Sequence, residues 1–183
     1  KTNDQYGVLS AGLNVDWQPG RQRVLASASL NQVRYSHYDS QDNDGYDYQL
    51  RWNWQLGNHW SGLVGATDIQ SQSKYEDVQI GFVPNEVTRQ RQFASANWLF
   101  HPRWQIGLNV DQSDIANSAP AQLISDYEDQ GMGATLTYLT PKGGRLSGQF
   151  RKVDAYYPNR VQGVIDNSYS QTEYNLLGDW RST

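Results

Sequence analysis

The chain has 183 residues, and 15 Lys and Arg set against 19 Asp and Glu leave a net charge of -4. So mild an acidity argues against nucleic acid as a partner, whose phosphates need clustered cations, and the absence of cysteine removes disulfide frameworks and thiolate metal sites. Only 37% of the residues are hydrophobic, yet 13% are aromatic, with 7 Trp and 12 Tyr, far more rings than a disordered chain of this polarity carries.

Taken in chain order, the recurring pattern has a period of two. Leu9, Ala11, Leu13, Val15 and Trp17 alternate with Ser10, Gly12, Asn14 and Asp16, which predicts a β-strand with two chemically different faces. Val24, Ala26, Ala28 and Leu30 repeat it, although Val33 and Tyr35 fall on the opposite parity, as a bulge or an inward-pointing ring would produce. The clearest segment sets Tyr46, Tyr48, Leu50, Trp52 and Trp54 against Asp47, Gln49, Arg51 and Asn53. Trp60, Gly62, Val64 and Ala66 follow, with Leu63 and Ile69 out of phase. Shorter sets are Ala94, Ala96 and Trp98, then Trp104, Ile106, Leu108 and Val110, then Met132, Ala134, Leu136 and Tyr138, and Leu146, Gly148 and Phe150. Tyr174, Leu176, Gly178 and Trp180 complete the series, with Leu177 interrupting the polar side. These amount to about nine strands, each on the order of 9–12 residues.

The connections alternate in length. Short ones follow an aromatic residue: Trp17, Trp54, Trp98 and Tyr138 each precede a few residues containing Gly, Pro or Asn, which are hairpin-turn residues. Long polar ones are expected over 36–45, 71–89, 113–126 and 154–168. From Trp17 to Trp180 the turn-side aromatics recur after 37, 44, 40 and 42 residues. A propeller blade has a similar period but needs four short strands, not two long ones.

Three features favour a bilayer over a protein core as the apolar surroundings. Trp17, Trp54, Trp60, Trp98, Trp104, Tyr138 and Trp180 all sit at the short-turn ends of their strands, as an interfacial aromatic girdle does. Short turns at one end and long loops at the other match an outer-membrane barrel. Charges of both signs, Arg51, Asp111, Arg151 and Glu173, fall mid-strand on the polar side, where a wet lumen tolerates them. The expected fold is therefore all-β: an antiparallel up-and-down transmembrane β-barrel, read as one partial domain over 1–183. Nine is an odd count, whereas bacterial single-chain barrels are even, and 1–10 contain no apolar signal core. The expectation is a mature or truncated part of a larger barrel. A transmembrane helix is not available, because the longest uncharged stretch, Trp52–Thr67, contains Gln55, Asn58 and His59. The rival is a soluble β-sandwich or lipocalin-like binding module, whose interior would be apolar.

Asn14, Asp16, Gln49, Arg51, Asn53, Asn109, Asp111, Arg151, Glu173, Asn175 and Asp179 are the candidate lumen-facing residues. Amides and carboxylates bond sugar hydroxyls, so these residues would suit a glycan path; equally, they would pair across neighbouring strands and stiffen the wall. Tyr156 and Tyr157 are loop rings able to stack on sugars. His37, His59 and His101 lie outside strand centres, which disfavours a hydrolase needing His, Ser and a carboxylate to converge. Asp39, Asp42, Asp44 and Asp47 surround Gly45, but the EF-hand spacing fails, with Ser40 and Arg51 at its first and twelfth positions. Asp126, Glu128 and Asp129 are expected as solvated loop acids. No catalytic residue, metal set or cofactor is assigned.

The strings Arg51-Trp-Asn-Trp-Gln-Leu-Gly-Asn-His-Trp-Ser-Gly62, Phe100-His-Pro-Arg-Trp-Gln-Ile-Gly-Leu-Asn-Val-Asp-Gln-Ser-Asp114 and Gly178-Asp-Trp-Arg-Ser182 resemble the EpsL-like outer-membrane β-barrel proteins of bacterial exopolysaccharide operons, including those linked to exosortase systems. The resemblance implies a non-enzymatic outer-membrane barrel that helps polysaccharide leave the cell as a passive conduit or scaffold. Its partners would be the lipid bilayer and lipopolysaccharide, with polysaccharide, other export proteins or self-association to be considered. A general porin or structural barrel is the alternative.

Overall fold

The structure is a computed structural model that describes residues 5–37, 41–73, 85–161 and 163–179. It contains nine strands in one antiparallel sheet, in the order in which they occur in the chain. They are β1 (Tyr6–Trp17), β2 (Arg23–Tyr35), β3 (Asn43–Leu56), β4 (Trp60–Gln72), β5 (Glu86–His101), β6 (Trp104–Asn117), β7 (Tyr127–Leu139), β8 (Arg145–Tyr156) and β9 (Ser168–Asp179). Among the described residues, no helix is long and apolar enough to cross a membrane, a statement that does not bear on strands.

The sheet is open. Among the described residues β1 and β9 pair on one side only, so the barrel, expected from the sequence as part of a larger one, is here an open nine-stranded wall with two bare edges. Several strands also run further toward the long loops than the alternation indicates. β3 begins at Asn43, β5 at Glu86, and β6 continues to Asn117. Polar residues occupy both faces there, so hydrophobic period has nothing to mark, while the backbone ladder continues regardless. His101, expected in a turn, is the last residue of β5.

Short turns close the other end. Gly57 opens the β3–β4 turn with φ 59° and Gly20 sits in the β1–β2 turn with φ 63°, the left-handed region where a side chain is strained. Arg21 ties these two turns together, its Nη1 donating to the Gly57 carbonyl at 2.7 Å and to Asn58 Oδ1 at 2.8 Å. The parity change in β2 involves no bulge: the β1–β2 register is continuous, and Val33 and Tyr35 face Val8 and Tyr6 on the polar side. Among the described residues the sole shift in register is in β5–β6, between Leu99 and His101.

The registers carry one further regularity. Starting from Trp17 and stepping across partners, one row runs Val24, Trp52, Val64, Ala94, Val110, Met132, Lys152 and Thr172. Relative to that row, Trp54 lies two residues nearer the short turns, Trp60 and Trp98 four, and Trp104 and Tyr138 six. The opposite border of the apolar face moves the same way. Its first polar residues lie eight residues from the row at Gln32 and Asp44, four at Asp68, two at Gln92, Gln112 and Gln130, and on the row at Lys152 and Thr172. The apolar band therefore crosses the sheet obliquely, by about one residue per strand. A rise of about 3.3 Å per residue against about 4.8 Å between strands makes that slant roughly 35°, the tilt of strands in a barrel.

Candidate functional site

Register divides the side chains into two faces. Trp17, Trp54, Trp60, Trp98, Trp104 and Tyr138 share one with Leu50, Leu108, Met132 and Leu136. The eleven polar candidates, Asn14, Asp16, Gln49, Arg51, Asn53, Asn109, Asp111, Arg151, Glu173, Asn175 and Asp179, share the other. Trp180 and Asp39 lie outside the described residues.

The apolar face is the more exposed of the two. On β6, Leu108 and Val110 are each 57% exposed, whereas Gln105, Asn109 and Asp111 between them are half-buried. Among the described residues the buried apolar side chains are Val87, Ala119 and Ala155, none of them on the apolar face. A domain folded in water orders its surfaces the other way. Rings pair along the turn-side border: Trp60 and Trp98 stack at 5.2 Å and 5°, and Trp104 meets Tyr138 at 5.0 Å and 52°. Gly62 makes room for this layer, because a Cβ there would overlap the Trp54 ring. An open trough of about 840 Å³ follows the row through Val24, Trp52, Val64, Ala94, Val110 and Met132, with Gln92, Gln112 and Gln130 along one lip.

The polar face is partly self-satisfied. Arg151 on β8 reaches over β7 to Asp111 on β6, Nη2 to Oδ2 3.0 Å, and the Asp111 side chain is only 7% exposed. Gly131 permits this crossing; a Cβ there would stand 2.8 Å from both groups. Arg23 holds Asp16 through two bonds, of 3.0 and 2.7 Å. Gln49 donates to Asp47 at 2.9 Å, and Gln171 to Glu173 at 2.8 Å. Cross-strand pairing therefore accounts for Asp16, Asp111 and Arg151.

The long-loop end holds a cluster that the sequence does not announce. Asp126, expected as a solvated acid, is buried: Oδ1 accepts from the Asn117 backbone N–H at 2.8 Å and Nδ2 at 2.9 Å, and Oδ2 accepts from Asn159 at 2.7 Å. Asn85, also buried, donates to Ser73 Oγ and Asn117 Oδ1 and accepts from the Ala119 N–H. Three loops are thus fastened together. Their partners lie far apart in sequence, so no local pattern could have exposed them. Beside this cluster, Tyr127 and Tyr169 share a hydroxyl bond of 3.0 Å, Tyr157 meets Tyr127 ring to ring at 5.2 Å, and the Arg160 guanidinium lies 3.4 Å from the Tyr157 ring centroid.

The acidic loop before β3 is held by Arg34, which pairs with Asp42 at 3.6 Å and Asp44 at 2.8 Å. Among the described residues no three His, Asp or Glu side chains gather to hold a metal. His59 lies in a short turn and His101 at the end of β5, where its Nδ1 accepts the Arg103 N–H at 3.2 Å. His37 is in the bend after β2, at the opposite end of the strands.

No protein-family model, no curated protein and no solved structure matches this chain.

Proposed function

We propose that the chain is a membrane-spanning wall of a bacterial outer-membrane β-barrel, with its apolar face on hydrocarbon and its polar face toward a watered interior, serving polysaccharide export as a passive conduit or scaffold. The observation that carries the membrane part is the oblique apolar band, bordered by rings at one edge and by Gln and acids at the other. A flat slab of hydrocarbon cutting strands tilted at roughly 35° would write such a band. A second protein layer gives no reason for the two borders to slant together. The trough along that face suits acyl chains, and the long-loop end suits contact with lipopolysaccharide. The polysaccharide role rests on the sequence resemblance.

In this reading the bare edges acquire a requirement. Each exposed backbone N–H or C=O in lipid costs several kcal/mol, so β1 and β9 must pair further. Eight antiparallel steps leave β1 and β9 running the same way. Closure by antiparallel pairs alone therefore takes an odd number of additional strands between them.

Insertion into lipid vesicles tests the membrane assignment: Trp54→Asp lowers folding yield more than Asn53→Asp, and equal yields contradict it. Single-channel conductance of the closed assembly, with and without acidic or neutral glycans, tests the conduit. Block by glycan supports the export role; conduction indifferent to glycan favours a general porin.

A further inference from the structure

We infer that the polar face carries an oxyanion-binding station centred on Arg51 and Arg91. The two arginines stand on β3 and β5 with β4 between them. Gly65 of β4 is the cross-strand partner of both Arg51 and Phe93. Because Gly65 has no Cβ, the Phe93 ring lies over it; an added Cβ would overlap the ring. Phe93 thereby becomes a shared wall, with Arg51 Cζ at 6.0 Å and Arg91 Cζ at 5.5 Å from its centroid. An aromatic face attracts cations but meets none of the five N–H donors of a guanidinium.

Among the described residues, two other arginines of this face have carboxylate partners, whereas Arg89 reaches only Ser71 Oγ at 3.5 Å and Arg145 stands alone at the short-turn end, so what sets Arg51 and Arg91 apart is the ring they share. Arg23 is paired with Asp16 and Arg151 with Asp111. Among the described residues neither Arg51 nor Arg91 has a hydrogen bond or a carboxylate partner, and both are exposed. Beside them lies a cavity of about 390 Å³ whose polar lining includes Asn14, Ser27, Gln49, Arg51 and Thr67, alongside Phe93 and aliphatic residues such as Leu25. Arg91 is the cross-strand neighbour of Thr67. Asp16 also borders the cavity, but its carboxylate is already bonded to Arg23. Two unneutralised cations, a flat apolar wall and neutral hydroxyl and amide groups together fit a phosphate, sulfate or carboxylate. The ligand is either the free ion or such a group carried on a larger hydroxylated molecule. The station rests on the wall reading only in needing the polar face open to water.

The test is titration calorimetry of the refolded chain in zwitterionic micelles, with β-sheet content checked by circular dichroism. Inorganic phosphate binds saturably, and Arg51→Gln/Arg91→Gln weakens it by about ten-fold or more, as losing charge-assisted hydrogen bonds should. With the titration run at about 0.15 M salt, the charge-matched control Arg103→Gln/Arg145→Gln stays within about two-fold, since exposed charges beyond a Debye length of about 8 Å are screened. A hexose phosphate binding more tightly than inorganic phosphate assigns the station to a carried group; equal binding assigns it to the free ion. Absence of saturable binding, an unaffected double variant, or an equal loss in the control overturns the station. A chain that folds only without detergent overturns the wall reading instead, and the same titration on that folded chain then decides the station.

Discussion

At the residue scale, the polar face depends on glycines beneath long side chains. Gly131 lies under the Arg151–Asp111 pair and Gly65 under Phe93. Gly131→Val drives a branched side chain into the ion pair and should cost about 1–3 kcal/mol of folding stability, the range for overpacking, measured by urea unfolding in vesicles. Because Asp111 is enclosed while Arg151 is 37% exposed, their interaction is only partly screened. A double-mutant cycle with Asp111→Ala and Arg151→Ala should give a coupling of about 1 kcal/mol; strictly additive losses would show that the pair contributes nothing. The individual residues of this pair were legible in the sequence as polar members of alternating strands. Their pairing was not, because it spans an intervening strand whose glycine is informative only once the register is known.

At the element scale, the strands were legible wherever one side is apolar, since period-two hydrophobicity marks a face. β3 and β6 stand out for that reason, and their long-loop ends do not, because Asn43 and Asp44 are polar on both sides and Ile115 and Ala116 fall on opposite faces. In the loops composition is the only guide, and it presents Asp126 as a solvated acid, whereas the residue is buried among Asn117 and Asn159. Asp126→Ala should open the long-loop end without unfolding the band. Hydrogen exchange would then lose protection at Asn117 and at the Ala119 amide, while amides at Leu108 and Leu136 keep theirs. Equal loss at both ends would mean that the loop cluster supports the whole sheet. On β6 itself, the proposed membrane wall requires Leu108→Arg to cost about 2–4 kcal/mol of insertion free energy and the neighbouring Asn109→Arg far less, since in that proposal only the first puts a charge into lipid. Reversible folding into vesicles reads both values.

At the scale of the whole molecule, the apolar face is the more exposed and the polar face the less exposed, over an open sheet that slants its apolar band by about a residue per strand. Composition pointed toward this reading through its low aliphatic and high aromatic content, and the turn-side tryptophans gave one border of the band. The slant itself required registers, because it is a relation among strands that no single segment contains. It also makes a demand on depth. Trp17, Trp54, Trp98 and Trp104 occupy cross-strand rows up to six residues apart, which corresponds to about 20 Å along a strand. Single-tryptophan variants in vesicles with bromine at graded acyl positions measure where each ring sits. All four at one shallow depth is the predicted result; depths that step with the rows, or rings that lipid bromine does not quench, would contradict it.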